Sequence, residues 1–378
     1  MPAKLLQRFR RITYSTSYLP QIDGLRFIAI FSVVVVMHIS HYLDERFFNY
    51  QILQDNYWQD FAFRGGAGVP LFFMISGFIL SLPFAQWRLA GGKKISLRNY
   101  FLRRLTRLEP PYVIALLLLF AAQIWLLHKY SFAVLLPHLL TSAVYQHTIV
   151  YQSFSWVMPV AWSLEVEVQF YILAPLFFLL FLIPQSWIRR LIYVTIIVVS
   201  AVYWFDVWKP SHVLMYLQYF FSGILAADLY VSKTSIIRHR QWGLIMGIAC
   251  LAGFFLIPSA HSLPEYLIRI ACMFGLIHTV LTNEYMRRIF STEGLVLIGG
   301  MCYSIYLLHF ALISLLGQVL GRMGIRSLDP RLFIPLAFAF SFFVLSVSSL
   351  YFLLVEKPFM RPFWMRKTVG RPRAAQGR

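Results

Sequence analysis

Charged residues are scarce in this chain of 378 residues. Aspartate, glutamate, lysine and arginine make up 13% of it, whereas an average soluble domain carries about 25%. Its three cysteines have no spacing typical of a disulfide framework or a zinc site. The patterns GxxxxGK[ST], HExxH and GxSxG are also missing, so nucleotide hydrolysis, zinc proteolysis and hydrolase-type serine chemistry have no support.

Apolar residues are abundant instead. They account for 59% of the chain, aromatic residues account for 17%, and the mean hydropathy is +0.66. A soluble protein of this size would need more charge to cover its surface. The composition therefore predicts an all-α, polytopic membrane protein embedded in a lipid bilayer.

Ten stretches are predicted to be transmembrane helices, because a spanning helix needs about 20 mostly apolar residues. The ten predicted spans are 24–42, 66–86, 112–128, 160–183, 191–207, 213–230, 243–258, 265–281, 295–318 and 332–355. Segment 131–146 is also apolar, but Pro137 and His138 interrupt it. A partial or re-entrant helix is expected there.

Lysine and arginine are distributed unevenly between the two sides of these spans. With the N-terminus inside, the inner segments carry 25 of them and the outer segments carry 7. Cytoplasmic loops are enriched in these residues, so both termini are predicted to be cytoplasmic. The expected organisation is an N-terminal segment at 1–23, a transmembrane domain at 24–358 and a basic cytoplasmic tail at 359–378. The net charge of +19 alone could indicate a nucleic-acid partner. The basic residues lie in short loops between apolar stretches and in the C-terminal tail, however, so no nucleic-acid partner is expected.

Ionisable residues inside the predicted spans are costly, so they are usually paired and often functional. From the helical rise, His38, Glu167 and His309 reach a similar depth in the outer half of the membrane. A carboxylate beside an imidazole is a common way to hold a general base in the required tautomer. Catalysis is one interpretation, and polar contacts that hold helices together are the other.

A second polar cluster is predicted at the cytoplasmic face. Arg104 and Arg107 are three residues apart, so they share a face of a helix. The planar fork of arginine suits phosphate, although an ordinary membrane anchor explains the same residues. Pro110 and Pro111 follow, and they are expected to start the next helix.

Six segments occur in a recognisable order along nearly the whole chain. They are IDGLR (22–26) followed by His38, GVPLFFMISGF (68–78), RLTR (104–107), AWSLEVEVQFY (161–171), YSIYLLHF (303–310) and EKPF (356–359). Together they resemble the membrane-bound acyltransferase-3 family. Many members carry a fused SGNH-type domain, and none is expected here because the chain ends about twenty residues after its last predicted span.

The resemblance implies a ten-helix core in a bacterial cytoplasmic (inner) membrane. It implies transfer of an acyl group, commonly acetyl, from cytoplasmic acyl-CoA to a hydroxyl of an extracytoplasmic sugar or lipid-linked glycan. Candidate acceptors include O-antigen and exopolysaccharide. Acetyl-CoA is the expected donor substrate, and no metal is expected.

The resemblance also implies roles for individual residues. His38 becomes the essential catalytic histidine, oriented by Glu167 or by a neighbouring polar group. The residues predicted to bind the phosphates of coenzyme A are Arg26, Arg104 and Arg107. The residues predicted to contact substrate are Ser76, Trp162, Tyr303 and His309.

The spacing between Arg26 and His38 departs from the family pattern. Eleven residues lie between them here, whereas the family usually has ten. One extra residue turns an α-helix by about 100°. A π-bulge could absorb it, and such bulges are frequent at functional sites. Without a bulge, either Arg26 or His38 would have lost the role that the family gives it.

A transporter or flippase of a glycolipid or small solute is the alternative function. Such a protein would also place polar groups inside its spans. Transporter folds commonly contain internal repeats, however, and no clear repeat is found in this sequence.

Overall fold

The computed structural model describes residues 8–12, 18–49, 52, 56–205, 207, 212–237, 239–257, 262–325 and 327–360. These residues form an all-α protein, as the sequence predicts, and no strand occurs among them. From residue 361 onward, the predicted basic tail lies outside the described residues.

Nine helices in the described part of the chain are long and apolar enough to cross a membrane. In chain order the helices are α1 (Pro20–Phe47), α2 (Gln59–Leu89), α3 (Leu97–Leu126), α4 (Phe132–Ala143), α5 (His147–Tyr151), α6 (Pro159–Leu182), α7 (Ser186–Tyr203), α8 (Val213–Val231), α9 (Arg240–Leu256), α10 (Leu263–Thr282), α11 (Glu284–Phe290), α12 (Glu293–Gly300), α13 (Cys302–Arg322) and α14 (Pro330–Phe359).

Each of the ten predicted spans corresponds to a helix. The span predicted at 243–258 is α9, which has 17 residues and is slightly shorter than the other nine. The span predicted at 295–318 is divided, because α12 ends at Gly300 and α13 begins at Cys302. The apolar segment at 131–146 contains α4, a 12-residue helix with Pro137 in its interior.

The outer surfaces of the helices are strongly apolar. Phe338 and Phe342 of α14, for example, are each 73% exposed. In water such a surface would cause aggregation. In hydrocarbon it is well solvated, while each helix satisfies its own backbone hydrogen bonds.

The centre of the bundle is the contact between α2 and α8. A Cβ at Gly77 would lie 2.2 Å from the carbonyl oxygen of Phe220, and one at Gly223 would lie 2.1 Å from the carbonyl oxygen of Met74. Only glycine permits two backbones to approach this closely. The contact fixes the position of Ser76, which directly precedes Gly77 on α2.

The helix α3 extends further toward its N-terminus than the sequence suggested. The expectation that Pro110 and Pro111 start a helix was wrong, because both lie in the interior of α3. Proline removes the backbone donors that would otherwise bond to the carbonyl oxygens four residues earlier, at Thr106 and Arg107. Tyrosine hydroxyls bind other carbonyl oxygens of the same region: Tyr303 donates to that of Leu108 at 2.9 Å, and Tyr351 donates to that of Pro111. The helix therefore carries the RLTR segment and the prolines together.

A buried ion-pair cluster joins α7 to α8. The Asp228 side chain is fully buried, and its two oxygens accept hydrogen bonds from Arg189 and Arg190. The Nε atom of Arg190 lies 2.8 Å from the carboxylate. Removing one partner of a buried ion pair typically costs about 3–5 kcal/mol, because the remaining charge loses its compensation.

The variant Asp228→Asn is therefore expected to lower the free energy of unfolding by about 3–5 kcal/mol. The measurement is the Tm of the purified protein in detergent. The control is Glu293→Gln, which removes a pair with Arg10 whose side chains are 53% and 58% exposed. Such an exposed pair is worth about 1 kcal/mol or less. Equal Tm losses in the two variants would contradict this interpretation.

Candidate active site

An elongated cavity of about 120 Å³ lies between α1, α2, α3, α6 and α13. Six of the residues predicted for the site line it: Arg26, Ser76, Arg104, Arg107, Glu167 and Tyr303. On α2 the lining extends from Val69 to Leu80 at helical spacing. Those residues span roughly 16 Å along the helix axis. The cavity therefore combines a charged end with a long, mostly apolar wall.

One buried carboxylate organises the charged end. Asp23 is 1% exposed, and its Oδ1 atom lies 2.7 Å from guanidinium nitrogens of both Arg11 and Arg26. Tyr18 donates its hydroxyl hydrogen to the other carboxylate oxygen at 2.9 Å. Burial, together with the nearby Arg26, lowers the pKa of Arg11 to about 10, so Arg11 remains charged at neutral pH.

The two arginines of α3 are less well satisfied. The Nε atoms of Arg104 and Arg107 are buried, and neither has a hydrogen-bond partner among the described residues. The guanidinium of Arg104 lies 5.8 Å from the ring centroid of Tyr171. Buried donors without partners cost free energy unless a ligand satisfies them. This end of the cavity is therefore suited to a ligand with several negative oxygens.

Glu167 is part of the cavity wall. The Ser76 hydroxyl donates a hydrogen bond to the Glu167 carboxylate, and the Tyr171 side chain interacts with the same group. This contact ties α6 to α2. The hydrogen bond of His38 goes to His309 instead, and the orienting role of Glu167 stays a prediction.

The two histidines form a directed hydrogen-bonded pair. Nδ1 of His38 lies 2.9 Å from Nε2 of His309. Nδ1 of His309 lies 2.8 Å from the carbonyl oxygen of Tyr306 and 3.1 Å from that of Ile305. A carbonyl oxygen only accepts, so the hydrogen-bond network assigns the hydrogen of His309 to Nδ1 and leaves Nε2 as an acceptor. His38 then donates from Nδ1, and its own Nε2 keeps a free lone pair.

A π-helical segment at Ser32–Ile39 carries His38. In a regular α-helix, the twelve-residue step from Arg26 would turn His38 by about 120° away from the arginine. A π-helix turns less per residue, because its hydrogen bonds reach five residues along the chain. The bulge that could absorb the extra residue is therefore present. Gly65 packs directly against it, since a Cβ there would lie 2.5 Å from the Ser32 carbonyl oxygen.

Tyr306 stands between the cavity and the histidine pair. Its side chain lines the cavity, and its ring centroid lies 6.3 Å from that of His309. Its hydroxyl donates to the Val160 carbonyl oxygen and lies 3.1 Å from Oγ of Ser163. Neither His38 nor His309 is among the described residues that line the cavity. The cavity lining therefore includes Tyr306, the neighbour of His309, but not the imidazoles themselves.

Trp162 lies outside this lining. Its ring packs edge-on against Phe73, at 6.5 Å between centroids, and against Tyr216 at 5.8 Å. Since Phe73 itself lines the cavity, Trp162 forms a second layer behind it. The predicted substrate contact of Trp162 stays a prediction.

Sequence reasoning missed three contributors to the site. Asp23 and Glu356 lie inside recognised segments but received no role, and Arg11 carries no pattern that would mark it. Glu356 is fully buried and accepts hydrogen bonds from the backbone nitrogen of Ser304 at 3.1 Å and from its hydroxyl at 2.5 Å. It therefore caps the first turn of α13, the helix that carries His309. The signal for Asp23 was its position three residues before Arg26.

Metal chemistry has no evident site in the described part of the chain. No three side chains of histidine, cysteine, aspartate or glutamate are grouped closely enough there to hold an ion.

A family model described as an acyltransferase domain matches residues 19–353. The chain belongs to the acyltransferase-3 family. The resemblance carried by the six sequence segments is thereby confirmed, and the membrane-like helices agree with it.

Curated relatives of this family member are named as O-acetyltransferases. A provisionally named O-acetyltransferase of Staphylococcus aureus (strain COL) is 27% identical over 331 residues, which cover 79% of this chain and 51% of the relative. The peptidoglycan O-acetyltransferase OatA of Listeria monocytogenes is 25% identical, over 82% of this chain and 52% of the relative. The chain thus spans about half the length of the curated relatives it matches. No solved structure matches the chain.

The crowding of arginines at the charged end predicts a cost in stability. The variant Arg107→Gln relieves repulsion with Arg26 and Arg104 and removes a buried donor without a partner, and these gains oppose the loss of its attraction to the Glu356 carboxylate. We therefore expect the ligand-free variant to keep or raise its Tm in detergent. Arg189→Gln is the control, because it removes a buried arginine paired with Asp228 and should lower the Tm. A large Tm loss in Arg107→Gln would show that Arg107 is a structural residue.

Proposed function

We propose that this chain is an integral membrane O-acyltransferase. It transfers an acyl group, acetyl in the simplest case, from cytoplasmic acyl-CoA to a hydroxyl of an extracytoplasmic glycan or glycolipid. The observation that carries the proposal is the hydrogen-bonded pair of His38 and His309, which adjoins Tyr306 in the lining of a cavity that also contains Arg26, Arg104 and Arg107.

The charged end of the cavity is the proposed site for the coenzyme A phosphates. Arg26, Arg104 and Arg107 line it, and Arg11 supplies a fourth guanidinium nearby. Unpartnered N–H donors on Arg104 and Arg107 would gain phosphate oxygens as acceptors. The elongated apolar wall, roughly 16 Å along α2, suits the linear arm that joins the phosphates to the thioester.

The proposed reaction is direct acyl transfer with His38 as the general base. Nε2 of His38 takes the proton of the acceptor hydroxyl while the hydroxyl oxygen attacks the thioester carbonyl carbon. The tetrahedral intermediate collapses, the carbon–sulfur bond breaks, and the thiolate takes the proton from His38. His309 keeps the imidazole in the reactive tautomer throughout, and free coenzyme A returns to the cytoplasm.

Tyr306 becomes the proposed boundary between the donor and acceptor compartments. Its ring separates the cavity from the histidines in the ligand-free arrangement. For the thioester to reach His38, this side chain has to release the Val160 carbonyl and turn aside. Such a boundary would keep water away from the thioester until the acyl end arrives.

The acceptor side is proposed from the relatives and from the charge distribution. The relatives are named O-acetyltransferases, and the Listeria protein is named for peptidoglycan, which favours acetyl as the acyl group and a cell-surface glycan as the acceptor. In the proposed orientation, the protein lies in a bacterial inner membrane with both termini in the cytoplasm. His38 and the arginines then lie on opposite sides of the membrane midplane. Donor and acceptor then approach the imidazole from opposite sides.

The variant His38→Ala is expected to reduce transfer by at least roughly 100-fold, because general-base catalysis contributes about 10²–10⁴ to rates. The assay follows radiolabel from [¹⁴C]acetyl-CoA into membrane glycan and glycolipid fractions and measures free thiol released in parallel. Expression and membrane insertion should remain at wild-type levels.

The matched control is a second histidine pair with the same connectivity. Nδ1 of His138 lies 2.8 Å from Nε2 of His147, between α4 and α5. His138→Ala should retain most transfer, and so should His239→Ala, which changes an exposed histidine at the start of α9. Undiminished transfer by His38→Ala would remove the proposed base, and no labelled product with the wild-type chain would favour a transporter.

A further inference from the structure

A second cavity lies at the end of the bundle opposite the arginine-lined one. It has a volume of about 650 Å³, and Arg46, Gln318, Gly321, Arg322, Gly324 and Ile325 line it. We call it the far-end cavity. On α1 it lies at Arg46, twenty residues after Arg26, which corresponds to roughly 30 Å along the helix. The two arginine clusters therefore occupy opposite ends of the same helix.

The two arginines of the far-end cavity are unusual for this side of the protein. The outer segments carry only 7 of the 34 lysines and arginines, and the tendency that concentrates basic residues inside does not explain basic residues outside. Neither Arg46 nor Arg322 forms an ion pair with any residue that the structure describes. Asp44, a nearby carboxylate of α1, is buried and accepts a hydrogen bond from the backbone nitrogen of Ile52 instead.

Local packing holds Arg46 at the cavity. A Cβ at position 321 would lie 2.9 Å from Nη2 of Arg46, so the guanidinium rests on the bare backbone of Gly321. Gly324 then turns the chain with a φ of +86°, a conformation that favours glycine. The end of α13 thus brings Arg322 and the Gln318 amide to the same cavity as Arg46.

The donors in this cavity match a phosphate group. Each guanidinium can donate two parallel hydrogen bonds, and the Gln318 amide adds a further N–H. A phosphate group offers three strong acceptor oxygens. Both guanidiniums lie at the polar end of the membrane, where the phosphates of lipid head groups are located.

The far-end cavity is connected to the histidine pair through the same two helices. Arg46 follows His38 by eight residues on α1, and Arg322 follows His309 by thirteen on α13. Those steps correspond to roughly 12 Å and 20 Å. A group attached to a ligand in the far-end cavity therefore has to extend by roughly 12–20 Å along the helices to reach the level of His38 and His309.

We propose that Arg46 and Arg322 form a binding site for a phosphate or diphosphate group at the extracytoplasmic surface of the membrane that holds the protein. In the reaction proposed above, that group belongs to the acceptor and anchors it over the histidines. This role rests on the proposed function, whereas the binding itself does not.

The test is isothermal titration calorimetry on the full chain in detergent. The probes are inorganic pyrophosphate, farnesyl diphosphate and uncharged farnesol. All proteins carry Arg104→Gln and Arg107→Gln, so that the other arginine cluster loses the two guanidiniums whose Nε donors have no partner. In this background, adding Arg46→Gln and Arg322→Gln should weaken farnesyl diphosphate binding at least tenfold. Adding Lys129→Gln and Arg331→Gln, which removes the same charge from exposed outer positions, should change it less than twofold.

The two charged probes identify the source of the phosphate. Parallel loss of pyrophosphate binding supports a site for the free anion as well as for the lipid, and binding of farnesyl diphosphate alone supports a lipid head group. The proposal is overturned if neither binds in this background, if the Arg46/Arg322 change leaves Kd unaltered, or if farnesol binds as tightly. No acyl donor is present in the calorimetry, so a negative binding result does not affect the acyl-transfer assay of His38→Ala. A negative acyl-transfer result likewise does not affect the binding result.

Discussion

The hydrogen bond from Nδ1 of His38 to Nε2 of His309 is the interaction on which the site depends. In hydrocarbon an imidazole has no water to satisfy its ring nitrogens, so protein groups decide which nitrogen carries the hydrogen. The backbone carbonyls of Ile305 and Tyr306 make that decision for His309, and His309 makes it for His38. A helical backbone thereby sets the chemical state of a side chain on a different helix.

The carboxylates of the site bind other groups, and none of them forms a hydrogen bond with this pair in the described part of the chain. Asp23 holds Arg11 and Arg26, Glu356 caps α13, and Glu167 binds Ser76 in the cavity wall. Each of these carboxylates has at least one protein partner, although Oε1 of Glu356 is buried without a hydrogen-bond partner among the described residues. The guanidiniums of Arg104 and Arg107 are only partly satisfied, and they provide the unused binding capacity of the cavity.

Much of the fold followed from the sequence because it rests on local properties. Apolar run length predicts each spanning helix. The extra residue before His38 left two alternatives, and the π-helical segment at Ser32–Ile39 is the one that the structure contains. The prolines of α3 misled the prediction, because the helix continues through both of them and contacts tyrosines of two distant helices there. A contact made across the fold leaves no trace in local spacing.

The same distinction holds for the site. Helical depth placed His38 and His309 at one level, and they are in direct contact. Glu167 was predicted at a similar level, but its carboxylate accepts a hydrogen bond from Ser76, because the rotation of α6 relative to α1 depends on packing throughout the bundle. Arg11 was missed for a related reason: its position depends on Asp23, a partner in the following helix.

The most direct test of the account is a cryo-electron microscopy structure of the protein with a stable ketone analogue of acetyl-CoA, in which a methylene group separates sulfur from the carbonyl. The account predicts phosphates against Arg26, Arg104 and Arg107, the Tyr306 side chain turned aside, and the ketone carbon beside Nε2 of His38. An analogue whose ketone end lies away from His38, or whose phosphates avoid the arginines, would contradict it.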